Sequence, residues 1–159
     1  MSLDSREISF HPDDIDGIVA DMIDLAQAAD GQRWLNVGPD VDESQIPTGS
    51  VAWRTFSSRG PVIPKVTWLP EHTVKGKRQH TEVGIAHATG ANAIGRLADA
   101  GVAVPTGWVT VQDHTRRGIL FAVPPGDKPA TVLTLAVRAL RVFSPFDFED
   151  HYLATFWRR

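Results

Sequence analysis

The chain has 159 residues, with 16 Lys+Arg against 19 Asp+Glu, 42% hydrophobic residues and no Cys. That length encloses an ordinary core without disulfide or metal support. The composition excludes disorder, a thiol nucleophile, Cys-ligated zinc, an iron–sulfur cluster and a disulfide. Charge is unevenly spread: residues 1–50 hold 11 acids and 2 bases, and the remainder carries a net +6. No run approaches the ~18 consecutive apolar residues of a membrane span. Met1-Ser2-Leu3-Asp4 lacks the basic start and apolar stretch of a secretory signal. The expectation is a soluble cytoplasmic protein with no membrane partner.

In chain order, residues 6–10 predict a short strand. Pro12, Asp13 and Asp14 then open a helix over 12–30, since Pro suits a first turn and acids suit the positive end of the helix dipole. Ile15, Ile18, Val19, Met22, Ile23 and Ala26 recur at helical spacing and predict one buried face, and Gly31 stops the helix. Strands follow at 33–37, 50–56 and 62–69, separated by an acidic loop (38–49) and a turn (57–61). Pro64 marks the last of these strands as an edge or bulged one. Residues 71–81 are polar and basic, a linker or long hairpin connection. A strand at 82–88 and a helix at 91–100 come next, with Thr89 or Asn92 as N-cap and Gly101 as stop. Strands at 108–113 and 118–123 flank a turn. A helix over 129–143 begins on Pro129 and ends before Pro145, and a strand at 151–157 closes the chain.

The fold class is therefore α+β. Residues 82–157 read β-α-β-β-α-β, the order of a ferredoxin-like unit, and residues 1–70 read β-α-β-β-β. The expected organisation is one compact domain of two subdomains, 1–70 and 82–159, joined by the basic loop 71–81. The halves share strand, His, helix and an Ala-Asp-rich helix end followed by Trp and Val, which suggests a weak internal duplication with His11 and His87 equivalent.

Taking strands 82–88 and 118–123 as parallel and central places both following helix N-termini at one pole. His87, Thr89, Gly90, Asn92, Gly126, Asp127 and Lys128 would gather there and could hold an anion, or simply cap helices. The opposite pole would collect Lys75, Lys77, Arg78, His80, His114, Arg116 and Arg117, a patch for phosphate-bearing partners or a solvated basic face. Nucleic acid is the disfavoured partner, because no aromatic interleaves these stretches. Gly90 and Gly95 have phosphate-loop spacing, but Arg96-Leu97 stands where that loop requires Lys and a hydroxyl. Asp113 and His114 are strand neighbours and face opposite ways unless the turn bends them.

The small-residue side of strand 82–88 (Gly84, Ala86, Ala88) and the two-sided apolar strand 118–123 imply that both sheet faces are covered, first by the N-terminal half, otherwise by a second copy or a flat ligand. The acidic half would then neutralise the basic half. Three functions follow. The first is a non-catalytic small-ligand-binding or protein-binding/assembly domain that self-associates, with a small anionic ligand allowed and no cofactor implied. The second is a small enzyme acting on an anionic or carbonyl substrate, with His87 as acid–base beside Thr89. The third is a metal site using His11 and His87 with Glu7 or Glu82.

Overall fold

The computed structural model describes residues 2–42 and 63–159. The expected strand 50–56, the turn 57–61 and the start of strand 62–69 fall outside the described residues. The elements are β1 (Asp4–Phe10), α1 (Asp16–Ala28), β2 (Arg33–Pro39), β3 (Lys65–Leu69), β4 (His72–Val74), β5 (Lys77–Gln79), β6 (Thr81–Ala86), α2 (Ala93–Asp99), β7 (Val109–His114), β8 (Gly118–Val123), α3 (Pro129–Phe143) and β9 (Tyr152–Arg158). The protein is mixed α+β. Seven strands form one sheet in the order β1-β9-β2-β3-β6-β8-β7, every neighbouring pair antiparallel, and β4 and β5 form a separate hairpin.

Local sequence explains the elements. Pro129 occupies the first turn of α3, and Ser144 N–H bonds the Leu140 carbonyl before Pro145 prevents continuation. All six apolar positions expected on α3 (Val132, Leu133, Leu135, Ala136, Ala139 and Leu140) are buried. Helix α1 starts later than expected. Pro12–Asp14 form a turn, with Asp14 N–H on the His11 carbonyl and Asp13 N–H on His11 Nδ1, so the helix begins at Asp16. Ile18, Met22 and Leu25 are its buried stripe, and Ile23, expected inside, is 43% exposed. Asn92 sits at the N-cap position of α2 without a side-chain capping bond, so neither it nor Thr89 caps as expected. Gly101 (φ +76) ends α2 in a left-handed turn, with Val102 N–H reaching back to the Leu97 carbonyl. The basic stretch is a hairpin, not a linker, turning at Lys75 and Gly76, both at positive φ. Pro64 does not demote its strand: it precedes β3, which lies between β2 and β6.

Strand pairing departs from the expectation in a way that moves the poles. β6 and β8 are antiparallel neighbours, Thr81 opposite Val123 and Ile85 opposite Ile119. β6-β8-β7 keeps the spatial order of the expected βαββαβ unit, but β9 is separated from β6 by β2 and β3 and lies between β1 and β2. The described strands of the first half therefore extend the sheet edge to edge. Among the described side chains, the pair of His11 with Asp150 at 3.8 Å joins the halves, and most of the acidic 38–49 loop lies outside the described residues.

The core lies on one sheet face. Leu35, Val37, Val66, Trp68, Val83, Ile85, Ile119, Phe121, Tyr152 and Ala154 are buried there beneath α1, α2 and α3. Full burial of each large apolar side chain contributes roughly 1.5–3 kcal/mol.

Candidate functional site

Define the upper end of the sheet as the end where β6 finishes. Because β8 runs the other way, residues following β6 are at the upper end and residues following β8 at the lower. The expected anion pole is thereby split. His87, Thr89, Gly90 and Asn92 lie at the upper end, and Gly126, Asp127 and Lys128 lie at the lower. The expected basic pole is split the same way. Arg78 and His80 precede β6 at the lower end, and His114, Arg116 and Arg117 turn between β7 and β8 at the upper.

Arg78 and the His114 ring have local partners. Arg78 makes two bonds to Glu71, at 2.6 and 2.7 Å, and this partner, opposed by desolvation and aided by the charge of His80, holds Glu71 below its ordinary carboxylate range. His114 Nδ1 accepts the backbone N–H groups of Arg116 and Arg117, closing the turn, while Asp113 Oδ2 faces the N–H of Ile94. Asp113 and His114 do not pair. Asp127 accepts the Trp108 indole N–H across the lower end.

His87 is fully buried, its ring stacked on Phe143 with centroids 4.8 Å apart. Its Nδ1 accepts the Thr89 N–H at 3.3 Å and lies 3.0 Å from the Thr89 hydroxyl, so these two expected residues are brought together. Its Nε2 has no partner among the described residues. Burial pushes the imidazole pKa below its ordinary 6.5, with Asp113 opposing and Arg96 adding to the shift. A recess of about 220 Å³ lies beside it, bounded by Thr89, Arg96 and Ser144, but His87 does not line that recess. The ring is a neutral wedge under α3, buried from solvent.

The sign of its linkage to stability follows. The unfolded chain takes up a proton near pH 6.5 and the folded chain only at lower pH. Stability is therefore full above 6.5 and declines as pH falls toward the folded value. His87→Asn keeps an acceptor for the Thr89 N–H and cannot titrate. In urea unfolding at about pH 7.5 and 5.5, the wild type should lose up to about 1.4 kcal/mol more than the variant. Equal losses would show that His87 is not the titrating group.

The metal candidates do not converge. His11 follows β1 and His87 follows β6, four strand steps apart in the sheet, or roughly 19 Å. Glu7 and Glu82 sit on the sheet face opposite the helices. Among the described residues no group of three or more His, Cys, Asp or Glu is placed to hold a metal ion. No described helix is long and apolar enough to cross a membrane.

Two surfaces remain that sequence reasoning did not fully resolve. The first is the second sheet face, over which no described helix lies. Its middle row runs Glu7, Thr155, Asn36, Thr67, Gly84, Leu120, Gln112, with the Thr67 hydroxyl donating to Asn36 Oδ1 at 2.8 Å. Above it lie Leu153, Lys65 and Ala86; below it lie Trp157, Trp34, Leu69, Glu82 and Ala122. Trp34 and Trp157 stack at 6.1 Å, and the apolar members of this face are only half-buried.

The second surface is a cleft of about 580 Å³ along α3, between the entry to α1 and the end of α2. At its upper end Arg141 bonds the Phe148 carbonyl (2.9 Å) and Asp150 (3.0 Å), with its guanidinium 3.9 Å over the Phe148 ring. Burial opposes ionisation of Asp150, but bonds from Arg141 and Tyr152 and the charges of Arg141 and His11 bring its pKa below its ordinary 3.8. Burial raises Tyr152 above its ordinary 10.0. Arg138 and Arg141, spaced i, i+3 on an otherwise uncharged helix, were the available sequence signal for this cleft. No protein-family model, curated protein or solved structure matches this chain.

Proposed function

We propose that the protein is a non-catalytic assembly domain that pairs with a second copy of itself through the sheet face over which no described helix lies. The observation that carries this reading is the row of half-buried apolar side chains over which no described helix lies, with Gly84 and Ala86 near its middle allowing close approach of a facing layer. Seven strands about 4.8 Å apart and five to seven residues long present roughly 600 Å². Two copies would bury about 1,200 Å², the lower bound of a stable specific interface. The face is also self-complementary in charge. Lys65 lies above the middle row on β3, and Glu82 lies below it on the adjacent β6. A two-fold axis along that row sets each Lys65 across from the partner's Glu82 region, as isologous contacts require.

Sedimentation velocity should show a dimer at micromolar concentration. Leu153→Arg on one flank and Ala122→Arg on the other should each yield a monomer with unchanged far-UV circular dichroism. A monomeric wild type, or a dimer indifferent to both folded variants, rejects this reading. The acid–base alternative has no comparable support, because His87 is fully buried and does not line the recess beside it.

A further inference from the structure

The cleft along α3 combines an apolar floor with an unanswered positive charge. Ile15 from the α1 entry, Val102 from beyond α2, and Leu133, Val137 and Val142 from α3 supply apolar wall. Three separate elements thus converge, and the volume of about 580 Å³ lies within the range of ligand cavities.

The charges within reach do not cancel. Asp150 is answered by Arg141, and Arg141 is held in place by the Phe148 carbonyl and ring. Arg138 lines the same cleft, is exposed, and makes no ion pair or side-chain hydrogen bond among the described residues. Thr134 stands one helical turn before it on the same stripe and also lines the cleft. The site is left with about one positive charge beside an apolar wall. An isolated exposed Arg is ordinary. An unpaired one beside a rigid Arg–Asp pair and an apolar trough matches a ligand with one negative charge and an apolar body.

We infer that this cleft binds a monoanionic amphiphile, a carboxylate carrying an apolar tail or ring, with the carboxylate on Arg138 and the apolar body against Ile15, Leu133 and Val137. A cationic amphiphile is disfavoured by the same charges, and a dianion would meet Asp150. The site lies on the helical layer, away from the sheet face, so it stands or falls independently of self-association.

Calorimetric titration with decanoate, 2-naphthoate and decyltrimethylammonium, each below its aggregation threshold, tests this. At least one acid should bind saturably at one per chain. Decanoate alone, naphthoate alone or both would distinguish a tail from a ring. Arg138→Ala, which breaks no bond in the folded chain, should weaken acid binding about tenfold. Val137→Trp, which fills the trough, should remove it, with circular dichroism confirming that both variants fold. No saturable binding of either acid, equal binding of the cation, or acid binding unchanged in folded Arg138→Ala would each overturn the inference.

Discussion

Gly118→Ala should destabilise the fold by about 2–5 kcal/mol, a large part of the 5–15 kcal/mol typical of a domain. Gly118 opens β8 at φ +79, where an L side chain crowds its own backbone at roughly 1–2 kcal/mol. A Cβ there would also fall well inside contact distance of the Ile85 carbonyl oxygen, 3.1 Å from its carbon and 3.3 Å from Ala86 Cα. These are backbone atoms of β6, which pairs with β3 on one side and β8 on the other, so they cannot swing aside as a flexible side chain would. Relief requires parting β6 from β8. Gly126→Ala is the matched control, because Gly126 also has positive φ (+86) but nothing within 4 Å of its would-be Cβ. It should show the conformational part alone, about 1 kcal/mol. Urea unfolding of the pair separates the two contributions. If Gly118→Ala is no worse than Gly126→Ala, β8 does not approach β6 as described.

Phe143→Ala should remove about 3–5 kcal/mol, the range for truncating a buried aromatic without collapse of the surroundings. Phe143 is 1% exposed at the last residue of α3, and its ring roofs His87. Collapse into the space is limited, since α3 is fixed on the sheet by Leu133, Ala136, Ala139 and Leu140, each no more than 1% exposed. The variant carries a second signature. Water reaching the imidazole weakens the desolvation that depresses its pKa, so the His87 resonance in an NMR titration should move back toward 6.5. A loss below about 1 kcal/mol together with an unmoved His87 titration would contradict the packing described here.

The two glycine and aromatic effects depend on different kinds of information in the sequence. α3 was legible because its signals are local: Pro129 at the first turn, apolar residues at helical spacing and Pro145 beyond the end. β8 was legible as an unbroken apolar run between turn residues. The start of α1 was misplaced because Pro12-Asp13-Asp14 suits a turn held by His11 as well as a helix start. Pairing was less legible. Nothing within residues 82–88 or 118–123 states which way the two strands run relative to each other. Nothing in 152–158 reveals that its partners are β1 and β2. The candidate anion and basic poles inherited that ambiguity, so both were split by one reversed direction. Small residues on strand 82–88 did point to the sheet face over which no described helix lies, and the described strands of the N-terminal half lengthen the sheet. The cleft was missed because Arg138 and Arg141 look like ordinary solvated charges until Asp150 and Phe148 are placed beside one of them.

The position of β9 bears on how the chain comes to be folded during synthesis. β1 and β2 are joined by α1 and emerge early, yet they do not pair with each other; β9 pairs with both, Ile8 with Ala154 on one side and Val37 with Ala154 on the other. Until β9 has left the ribosome, β1 lacks its partner among the described strands and β2 has only β3 of its two. The loops closed by these contacts span most of the chain, and long-range pairing slows folding because closure entropy precedes the contacts that compensate it. The early-made strands thus wait with open edges for the last strand, an interval in which an unpaired edge favours intermolecular association and a chaperone would act.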